Sequence, residues 1–565
     1  MSNQIDWSTL SEVEKIKYDS NYLRGTLEES LKDPVTGSIA ASDTQISKFH
    51  GIYQQHDRDI AHERKHQKLE PAFSFLIRVR LPGGIATADQ WLQMDQLSET
   101  HANKTLKLTT RQAFQLHGVI KKDLKTTIKG INDALLDTIA ACGDVNRNVM
   151  SHANPAESDL HAQVYQLAGD ISRHLIPQTS AYHEIWLDKK LVSSSKEETE
   201  PLYGRQYLPR KFKIGVAIPP YNDVDVFSQD LGFIAIEENG KLAGYNIAAG
   251  GGMGSTFGIP ETYPRLGDVI GFCKPDQAID VAEKIVLIQK NNGDRQNRKQ
   301  ARLKYTIDRN GLDWFKKELF SALGYELQAP RPFKFTRNGD RYGWKQGTDG
   351  KWSLNLFVEG GRVKDLPGYP LKTALREVAK KVKDAQFILT GNQNLVIANT
   401  EKKQKVAEIL KEHGVWPAPL SGLRQNSIAC VALNTCGLAF AEAERYLPDL
   451  ISKIEKILEK HDLLKNEIVI RMTGCPNGCG RPYLAEIGLI GKSPGNYNLY
   501  LGGSNNGTRL NALYKETLNE EQILAELKPI IADYASNKKS NEPFGDFVIR
   551  QNYVQEITQG RDFKH

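Results

Sequence analysis

The sequence has little cysteine and no long apolar run. Six cysteines occur in 565 residues, and no hydrophobic stretch reaches the length that crosses a membrane. The first residues, MSNQIDWSTLSEVEKIKYDS, are polar and charged and lack the apolar segment of a signal peptide. We therefore expect no membrane partner and a reducing, cytoplasmic location, where clustered cysteines bind metal more often than they form disulfides.

Motifs for binding nucleotides are also missing. Gly250–Gly254 lacks the third glycine of a dinucleotide fingerprint, and Glu486 precedes Gly491-Lys492-Ser493 where a phosphate loop needs glycine. The net charge of +6 is mild, and without a Lys/Arg-rich tract we expect no nucleic-acid partner. Because no site for nicotinamide or flavin is visible, a redox activity of this chain would need electrons from another protein.

Four of the six cysteines are concentrated in two short stretches, Cys430–Cys436 and Cys475–Cys479. Gly474, Gly478 and Gly480 bracket the second pair, and glycine lets the backbone bend sharply and approach a bulky group. Four thiolates at this spacing suit an iron–sulfur cube. A structural zinc site and buried, inert cysteines stay open from the spacing alone.

The chain contains two copies of one two-part module. The pattern that begins at FSFLIRVRLPGG (73–84) returns at WSLNLFVEGGRV (352–363), and GYNIAAGGG (244–252) resembles NYNLYLGGS (496–504). We predict an α/β (α+β) fold, internally duplicated, with two pseudo-twofold-related modules of mixed sheets and flanking helices. A ligand site is expected where the two copies meet.

Three local predictions accompany this architecture. Single strands are expected over LKLTTRQAFQLHGV (106–119) and FILTGNQNLVIAN (387–399). A short helix from Ser8 to Lys17, with Ser11 and Glu14 as a capping box, is expected within an extended arm wrapped over the body. A short strand is expected over FGDFVIR (544–550).

Basic residues gather near the predicted junction. Arg78 and Arg80 alternate on the first strand, and Lys211 and Lys213 alternate on a strand predicted over LPRKFK (208–213), so each pair shares a face. Two cations on one face repel one another unless an anion lies between them. A solvated strand face explains any single pair more simply, but the repetition favours an anion site in which arginine binds carboxylates and lysine donates protons.

The second cysteine stretch carries a resemblance to a known family. RMTGCPNGCGRPYLAEIGLIGKSPGNYNLYLGG, with CVALNTCGLAFAEAERYLPDL before it, resembles the sulfite/nitrite reductase superfamily and, within it, the haemoprotein (beta) subunits of assimilatory NADPH-dependent sulfite reductase. FLIRVRLPGG, LTTRQAFQLHG, YLPRKFK, GNQNL and FGDF have counterparts in the same order, so the resemblance covers nearly the whole chain.

The resemblance implies a set of cofactors and site residues. A [4Fe-4S] cluster would be held by Cys430, Cys436, Cys475 and Cys479, and Cys479 would also be the axial ligand of a sirohaem. Sulfite would be bound by Arg80, Arg147, Lys211 and Lys213, and the cofactors would be contacted by Arg111 and Asn477. The implied divisions are an N-terminal arm (1–66), ferredoxin-like halves (67–145 and 346–424), a sirohaem and substrate domain (146–345) and an Fe–S and sirohaem domain (425–565).

The implied reaction is the six-electron reduction of sulfite to sulfide for cysteine biosynthesis, with electrons from NADPH through a separate flavoprotein (FAD/FMN) subunit. A ferredoxin-dependent sulfite or nitrite reductase would share the motif and differ in its electron donor. A non-catalytic protein held together by zinc would share the cysteine spacing but would be colourless.

Overall fold

A computed structural model describes residues 5–152, 154–189, 198–416 and 419–564. No helix within these ranges is both long and apolar enough to span a bilayer. Two large apolar cores account for most of the buried side chains. One lies under the N-terminal part and both antiparallel sheets, and the other lies around the last sheet.

The first copy, preceded by the N-terminal segment, extends to residue 323. Its strands are β1 (Ile52–His56), β2 (Phe73–Arg78), β3 (Ile85–Thr87), β4 (Leu106–Leu108), β5 (Phe114–Val119), β6 (Met150–Ser151), β7 (Ile214–Ala217), β8 (Leu231–Glu238), β9 (Lys241–Ala249) and β10 (Asp268–Cys273). Its helices are α1 (Glu12–Asp19), α2 (Leu27–Lys32), α3 (Asp43–Ile46), α4 (Ala61–His66), α5 (Ala88–His101), α6 (Leu124–Asp133), α7 (Asp159–His174), α8 (Ala181–Leu187), α9 (Ala278–Asn292), α10 (Leu303–Asn310) and α11 (Leu312–Leu323).

The second copy begins at residue 343. Its strands are β11 (Gly343–Gln346), β12 (Trp352–Leu356), β13 (Arg362–Val363), β14 (Asp365–Leu366), β15 (Tyr369–Pro370), β16 (Gln386–Leu389), β17 (Leu395–Thr400), β18 (Ser427–Ala429), β19 (Ile470–Thr473), β20 (Ile487–Ser493), β21 (Asn496–Leu501) and β22 (Ala512–Leu518). Its helices are α12 (Leu371–Lys381), α13 (Lys403–Glu412), α14 (Gly422–Gln425), α15 (Leu447–Glu459), α16 (Glu520–Asn537) and α17 (Phe544–Arg550).

The sheet topology confirms the predicted duplication. Two antiparallel sheets have the orders β1-β2-β5-β4-β13 and β11-β12-β17-β16-β3. Two mixed sheets have the orders β6-β7-β8-β9-β10 and β18-β19-β20-β21-β22, and in both the first three strands are parallel and the last two antiparallel. The α/β class with two related modules of mixed sheets is therefore correct.

The strand registers make the two copies comparable residue by residue. Ile214 pairs with Leu231 between β7 and β8, and Ile470 pairs with Ile487 between β19 and β20. The two copies are thus offset by 256 residues over this region, the separation of Asp225 from Arg481. The halves also exchange an edge strand, since β3 pairs with β16 and β13 pairs with β4.

The N-terminal segment packs on the body, but its details differ from the prediction. The first helix runs from Glu12 to Asp19, and Ser11 makes no side-chain cap. Glu14 is buried instead and binds Lys17 at 2.6 Å, so its carboxylate serves an internal ion pair and not a capping box with Ser11. Strand β1 joins the first antiparallel sheet, so the boundary expected at residue 66 separates β1 from its own sheet.

The two long strands expected in the antiparallel sheets are hairpins. Residues 106–119 form β4 and β5, and residues 387–399 lie in β16 and β17. The turn is the same in both copies: the Thr109 hydroxyl accepts hydrogen bonds from the Arg111 and Ala113 amides, and Gln112 has φ of 50°. All turn residues except Thr110 are buried, so the apolar pattern gave no sign of the reversal.

Two further predicted strands are wrong. FGDFVIR is the helix α17, because Phe544, Phe547 and Val548 have the spacing of a helix face and are buried together. LPRKFK is irregular apart from a single bridge of Phe212 to Asn146, and β7 begins only at Ile214. The residues of LPRKFK nevertheless line the junction between the copies, as described below.

Candidate functional site

A cavity of about 400 Å³ lies where loops of the two copies meet. It is lined by Thr110, Arg111, Lys211, Lys213, Ser228, Gln229, Met253, Gly254, Arg302, Asn477, Gly478, Cys479 and Arg481. Five of the cofactor- and substrate-binding residues predicted from the sequence are among them: Arg111, Lys211, Lys213, Asn477 and Cys479. The cavity therefore combines one cysteine with cations from four separate segments.

The four clustered cysteines lie on two loops at the same edge of the last sheet. Cys430 directly follows β18, and Cys475 and Cys479 follow β19, which is parallel to β18, so the carboxyl ends of both strands meet there. The Gly474 amide donates to the Cys430 sulfur at 3.4 Å, and the Asn477 side-chain amide donates to the Cys475 sulfur at 3.4 Å. N–H donors aimed at sulfur are suited to thiolates that carry negative charge.

The spacing of the thiols favours a cluster over a single zinc ion. A tetrahedral zinc with bonds of about 2.3 Å brings its thiolate sulfurs within about 4 Å of one another. Within the described residues, the one group of three or more potential ligands whose atoms all lie within 4.8 Å is His152, Glu157 and His161, which contains no cysteine. No three of the four sulfurs therefore lie within 4.8 Å of one another, so the thiols are not gathered around a single zinc position.

The thiols also repel one another as anions. Burial, followed by the charge of Cys479, raises the pKa of Cys475 to about 11 and raises the pKa of Cys430 well above its usual range. Burial and Cys479 likewise raise the pKa of Cys436. A nearby metal core would supply the positive charge that stabilises these three groups as thiolates.

Glycines give the cysteine loops their close approach. A Cβ atom on Gly474 would lie 2.5 Å from the Ala441 carbonyl oxygen. Gly478 has φ of 63°, and a Cβ atom there would lie 2.9 Å from the Met253 carbonyl oxygen. Side chains at these positions would push apart the loops that carry the thiols.

The two lysines of the cavity carry no partner of their own. In the part of the chain that the structure describes, neither the Lys211 nor the Lys213 ammonium has a hydrogen-bond or ion-pair partner. Burial, followed by the neighbouring cations Arg210 and Arg302, lowers the pKa of Lys211 to about 7. Burial and Lys211 lower the pKa of Lys213 well below its usual range. An anion between them would remove this cost.

Two arginines of the cavity are fixed in place by hydrogen bonds to neighbouring side chains. Arg302 binds Asp230 through two bonds of 2.9 and 2.7 Å, and Arg111 donates to the Gln229 side-chain oxygen at 2.7 Å while its Nε is buried without a partner. Burial lowers the pKa of Arg111 to about 9. This excess of fixed positive charge fits a macrocycle that carries several carboxylates, as a sirohaem does.

The structure separates Arg78 from Arg80. The Arg80 guanidinium binds both oxygens of Asp137 and donates to the Ser172 hydroxyl at 2.9 Å, away from the cavity. Arg78 is partly buried beside Cys142, and although burial alone would lower its pKa, the charges of Cys142, Tyr53 and Cys479 raise it. The arginine of this strand that faces the cysteine site is therefore Arg78.

Arg147 is not among the residues that line the cavity, and its Nε donates to the Gly143 carbonyl at 2.7 Å. Its charge contributes to the lowered pKa of Lys211, after burial, Arg210 and Arg302. Sequence reasoning missed Arg302 and Arg481, which come from other segments of the chain. Arg481 follows the last cysteine by two residues, so its proximity to the motif was the available signal.

Comparisons with known proteins agree with this geometry. The family described as "Nitrite/Sulfite reductase ferredoxin-like half domain" matches residues 66–134 and 345–415. The family described as "Nitrite and sulphite reductase 4Fe-4S domain" matches residues 168–327. That second range does not contain the four cysteines.

Two relatives cover almost the full chain, and both are named "Sulfite reductase [NADPH] hemoprotein beta-component". The protein of Oceanobacillus iheyensis is 57% identical over 99% of this chain and 97% of its own length. The protein of Anoxybacillus flavithermus is 59% identical over 98% of this chain and 97% of its own length. The solved NirA protein of Mycobacterium tuberculosis superposes with a TM-score of 0.77 at 22% identity and 96% coverage of both chains, so the fold is the same.

Proposed function

Because the chain belongs to the family of NADPH-dependent sulfite reductase haemoprotein beta-components, we propose that its cavity binds sulfite above Cys479 and reduces it to sulfide. The observation that carries this proposal is the meeting of Cys479 with two unpaired lysines, Lys211 and Lys213, in one cavity. The thiolate of Cys479 would offer a ligand for a cofactor iron, and the lysines would offer positive charge for an oxyanion.

The cofactors implied by the family fit the residues present. Cys430, Cys436, Cys475 and Cys479 would hold a [4Fe-4S] cluster, and Cys479 would also ligate the iron of a sirohaem. Arg111, Arg302 and Arg481 would neutralise the carboxylates of the macrocycle, and Asn477 would stabilise the thiolate of Cys475. When bound, these groups would supply single electrons for the reduction, and the protein would supply anion binding and protons.

The protein's part is to bind the anion and supply protons. Lys211 and Lys213 would neutralise the sulfite oxygens and weaken the S–O bonds by protonating them. A pKa of about 7 allows Lys211 to give up a proton and regain it near neutral pH. Arg147 and, in place of Arg80, Arg78 would orient the substrate from the distal side, because arginine binds oxyanions through two parallel hydrogen bonds.

The electron donor is proposed to be a flavoprotein partner that oxidises NADPH. The relatives are named as beta-components of an NADPH-dependent enzyme, which supports a second component that oxidises NADPH. A ferredoxin donor is the alternative, since the same cavity would serve it. Six cysteines without disulfide bonds support a reducing compartment, the cytoplasm.

Turnover with defined donors tests the proposal. The purified holoprotein is assayed for sulfide release with sulfite and a chemical one-electron donor, and then with NADPH plus flavoprotein or with reduced ferredoxin. We expect sulfide with the chemical donor and with the flavoprotein. Sulfide with ferredoxin but not with flavoprotein would establish the alternative donor, and no sulfide with any donor would refute sulfite reduction.

A further inference from the structure

A second polar cavity of about 430 Å³ lies between the loops after β6 and β7 of the first copy and the strands β11 and β12 of the second copy, and no cysteine lines it. His152, Glu157, Asp223, Arg341 and Asn355 are among the residues that line it. None of these residues lines the cysteine cavity, and none takes part in the proposed sulfite chemistry. The duplication explains why such a cavity exists and what it corresponds to.

The cavity occupies the position that the cluster site has in the other copy. Met150 pairs with Gly215 between β6 and β7, as Ile428 pairs with Arg471 between β18 and β19. His152, the first residue after β6, therefore corresponds to Cys430, the first residue after β18.

The offset of 256 residues between the two copies makes Asp223 equivalent to Cys479. It applies here because the segment from β7 to Asp225 is as long as the segment from β19 to Arg481. Two cluster ligands of one copy are thus replaced by a histidine and a carboxylate in the other.

The side chains in this cavity converge as metal ligands do. One ligand atom each from His152, Glu157 and His161 lies within 4.8 Å of the others, with His152 Nε2 3.6 Å from Glu157 Oε1 and His161 Nε2 4.0 Å from Glu157 Oε2. Two imidazoles and one carboxylate are a common ligand set for zinc and related divalent ions.

The other ring nitrogens are already oriented. His152 Nδ1 lies 2.6 Å from the Asp223 carboxylate, and His161 Nδ1 lies 2.7 Å from the Ser158 hydroxyl, so both Nε2 atoms are directed at Glu157. A carboxylate behind a histidine is the usual outer partner of a ligating imidazole. Asp223 is more than nine-tenths buried, and among the residues that the structure describes its second oxygen has no hydrogen-bond partner. A buried, unpaired acceptor favours a cation nearby.

The Arg341 guanidinium contacts two of the proposed ligand atoms in this structure. Arg341 Nη2 lies 3.0 Å from His152 Nε2 and 2.5 Å from Glu157 Oε2. The guanidinium is stacked 4.1 Å above the Tyr221 ring, and about a fifth of the side chain is exposed, so it can withdraw toward solvent. Arg341 and a metal ion would compete for the same two atoms.

We propose that His152, Glu157 and His161 form a binding site for a divalent transition-metal ion of the zinc class, with Asp223 orienting His152 and Arg341 competing with the metal. A metal here would link the end of β6 to the start of α7, as the cluster links the loops after β18 and β19. The site is independent of sulfite reduction, because its residues lie outside the cysteine cavity.

Metal binding by the holoprotein tests the site. The protein is equilibrated with Zn²⁺ against a chelator of known affinity, zinc and iron are counted by mass spectrometry, and the zinc coordination is examined by X-ray absorption. We expect one zinc per chain with two imidazole nitrogens at about 2.0 Å. Loss of a side chain that only supports a metal ligand weakens metal binding roughly 10- to 100-fold. His161→Ala removes a ligand itself, so it should weaken zinc binding by at least that much, while sulfite reduction continues. Arg341→Met should tighten binding, because it removes the competing cation.

His62→Ala is the matched control, since His62 and His66 form an exposed histidine pair on α4, with ring centroids 4.5 Å apart. Binding that is equal in wild type and His161→Ala but lost in His62→Ala would assign the zinc to the surface pair and overturn the proposal. The proposal would also be overturned if neither wild type nor Arg341→Met retained zinc.

Discussion

Asp225 and Arg481 occupy equivalent positions in the two copies and bind each other, with Arg481 Nε 2.5 Å from Asp225 Oδ2. Each has positive φ, 46° and 56°, and each begins a short 3₁₀ turn. Two symmetry-related positions can touch only at the axis that relates them, so this ion pair marks the pseudo-twofold axis. Arg471 joins it at 2.6 Å on the same carboxylate oxygen, and Arg481 also lines the cysteine cavity.

Asp225→Asn should destabilise the protein strongly. The change leaves Arg471 and Arg481 as buried guanidiniums without a counter-charge, and breaking a buried pair in this way costs about 3–5 kcal/mol. The free energy of unfolding, measured by denaturant titration, should fall by that amount. Glu238→Gln is the control, because its pair with Arg331 at 2.6 Å is half exposed and worth about 1 kcal/mol or less. Equal losses in both variants would contradict the role of the axis pair.

Much of the architecture could be predicted because the sequence contains two copies of the same module. The repeat of Thr109-x-Arg111-Gln112 at Thr390-x-Asn392-Gln393 and the two glycine-ended strands identify the duplication, and the matching sheet orders bear it out. The hairpin turns escaped prediction because their residues are buried, and polarity marks only turns that face water.

The candidate site was predicted unevenly for a similar reason. Cysteine spacing and alternating lysines depend on local sequence, and both led to cavity residues. The alternation of a regular strand would put Arg78 and Arg80 on one face. However, β2 ends at Arg78, and Arg80 forms a separate bridge with Asp137, so the two side chains do not share a face. Arg302 reaches the cavity from α10's N-terminal boundary, a relation set by tertiary packing that no local pattern contains.

Cys436→Ser should remove the cluster, because one of four thiolates is lost and serine is a poor ligand for iron–sulfur cores. Cys479→Ser should remove the sirohaem as well, since this sulfur serves both groups in the proposed arrangement. Iron, acid-labile sulfide and the visible spectrum measure the outcome. Cys273→Ser is the control, as Cys273 is a buried thiol at the end of β10. A complete sirohaem spectrum in Cys479→Ser would contradict the shared ligand.

Arg78→Gln and Arg80→Gln should have different effects. Arg78 faces the cysteine site, and the loss of a charged hydrogen bond worth about 1.5–3 kcal/mol should raise the KM for sulfite about tenfold or more. Arg80 binds Asp137 and Ser172, so its replacement should lower the melting temperature and leave the KM nearly unchanged. Steady-state kinetics and thermal unfolding of both variants test the assignment. A raised KM in Arg80→Gln alone would restore the assignment implied by the resemblance.

Lys211 gives the cavity a predictable dependence on pH. Burial, with Arg210 and Arg302, lowers its pKa to about 7 from an ordinary 10.5, so the folded protein carries the ammonium below pH 7 and loses it above. Between pH 7 and pH 10.5, Lys211 is protonated in the unfolded chain but not in the native protein. The contribution of this residue to the free energy of unfolding therefore rises with pH from about 7 toward 10.5. Lys211→Met should abolish that contribution.

Sulfite binding should show the opposite trend, because it needs the charge that rising pH removes. In wild type, the KM should increase as pH rises through 7, whereas Lys211→Arg keeps its charge and should show a flatter profile. Lys211→Met should have a high KM at every pH and a lower kcat, since a proton donor is lost with the charge. The titration of sulfite itself is common to all three proteins, so ratios to wild type isolate the lysine. Parallel profiles in wild type and Lys211→Arg would mean that Lys211 does not titrate in contact with the substrate.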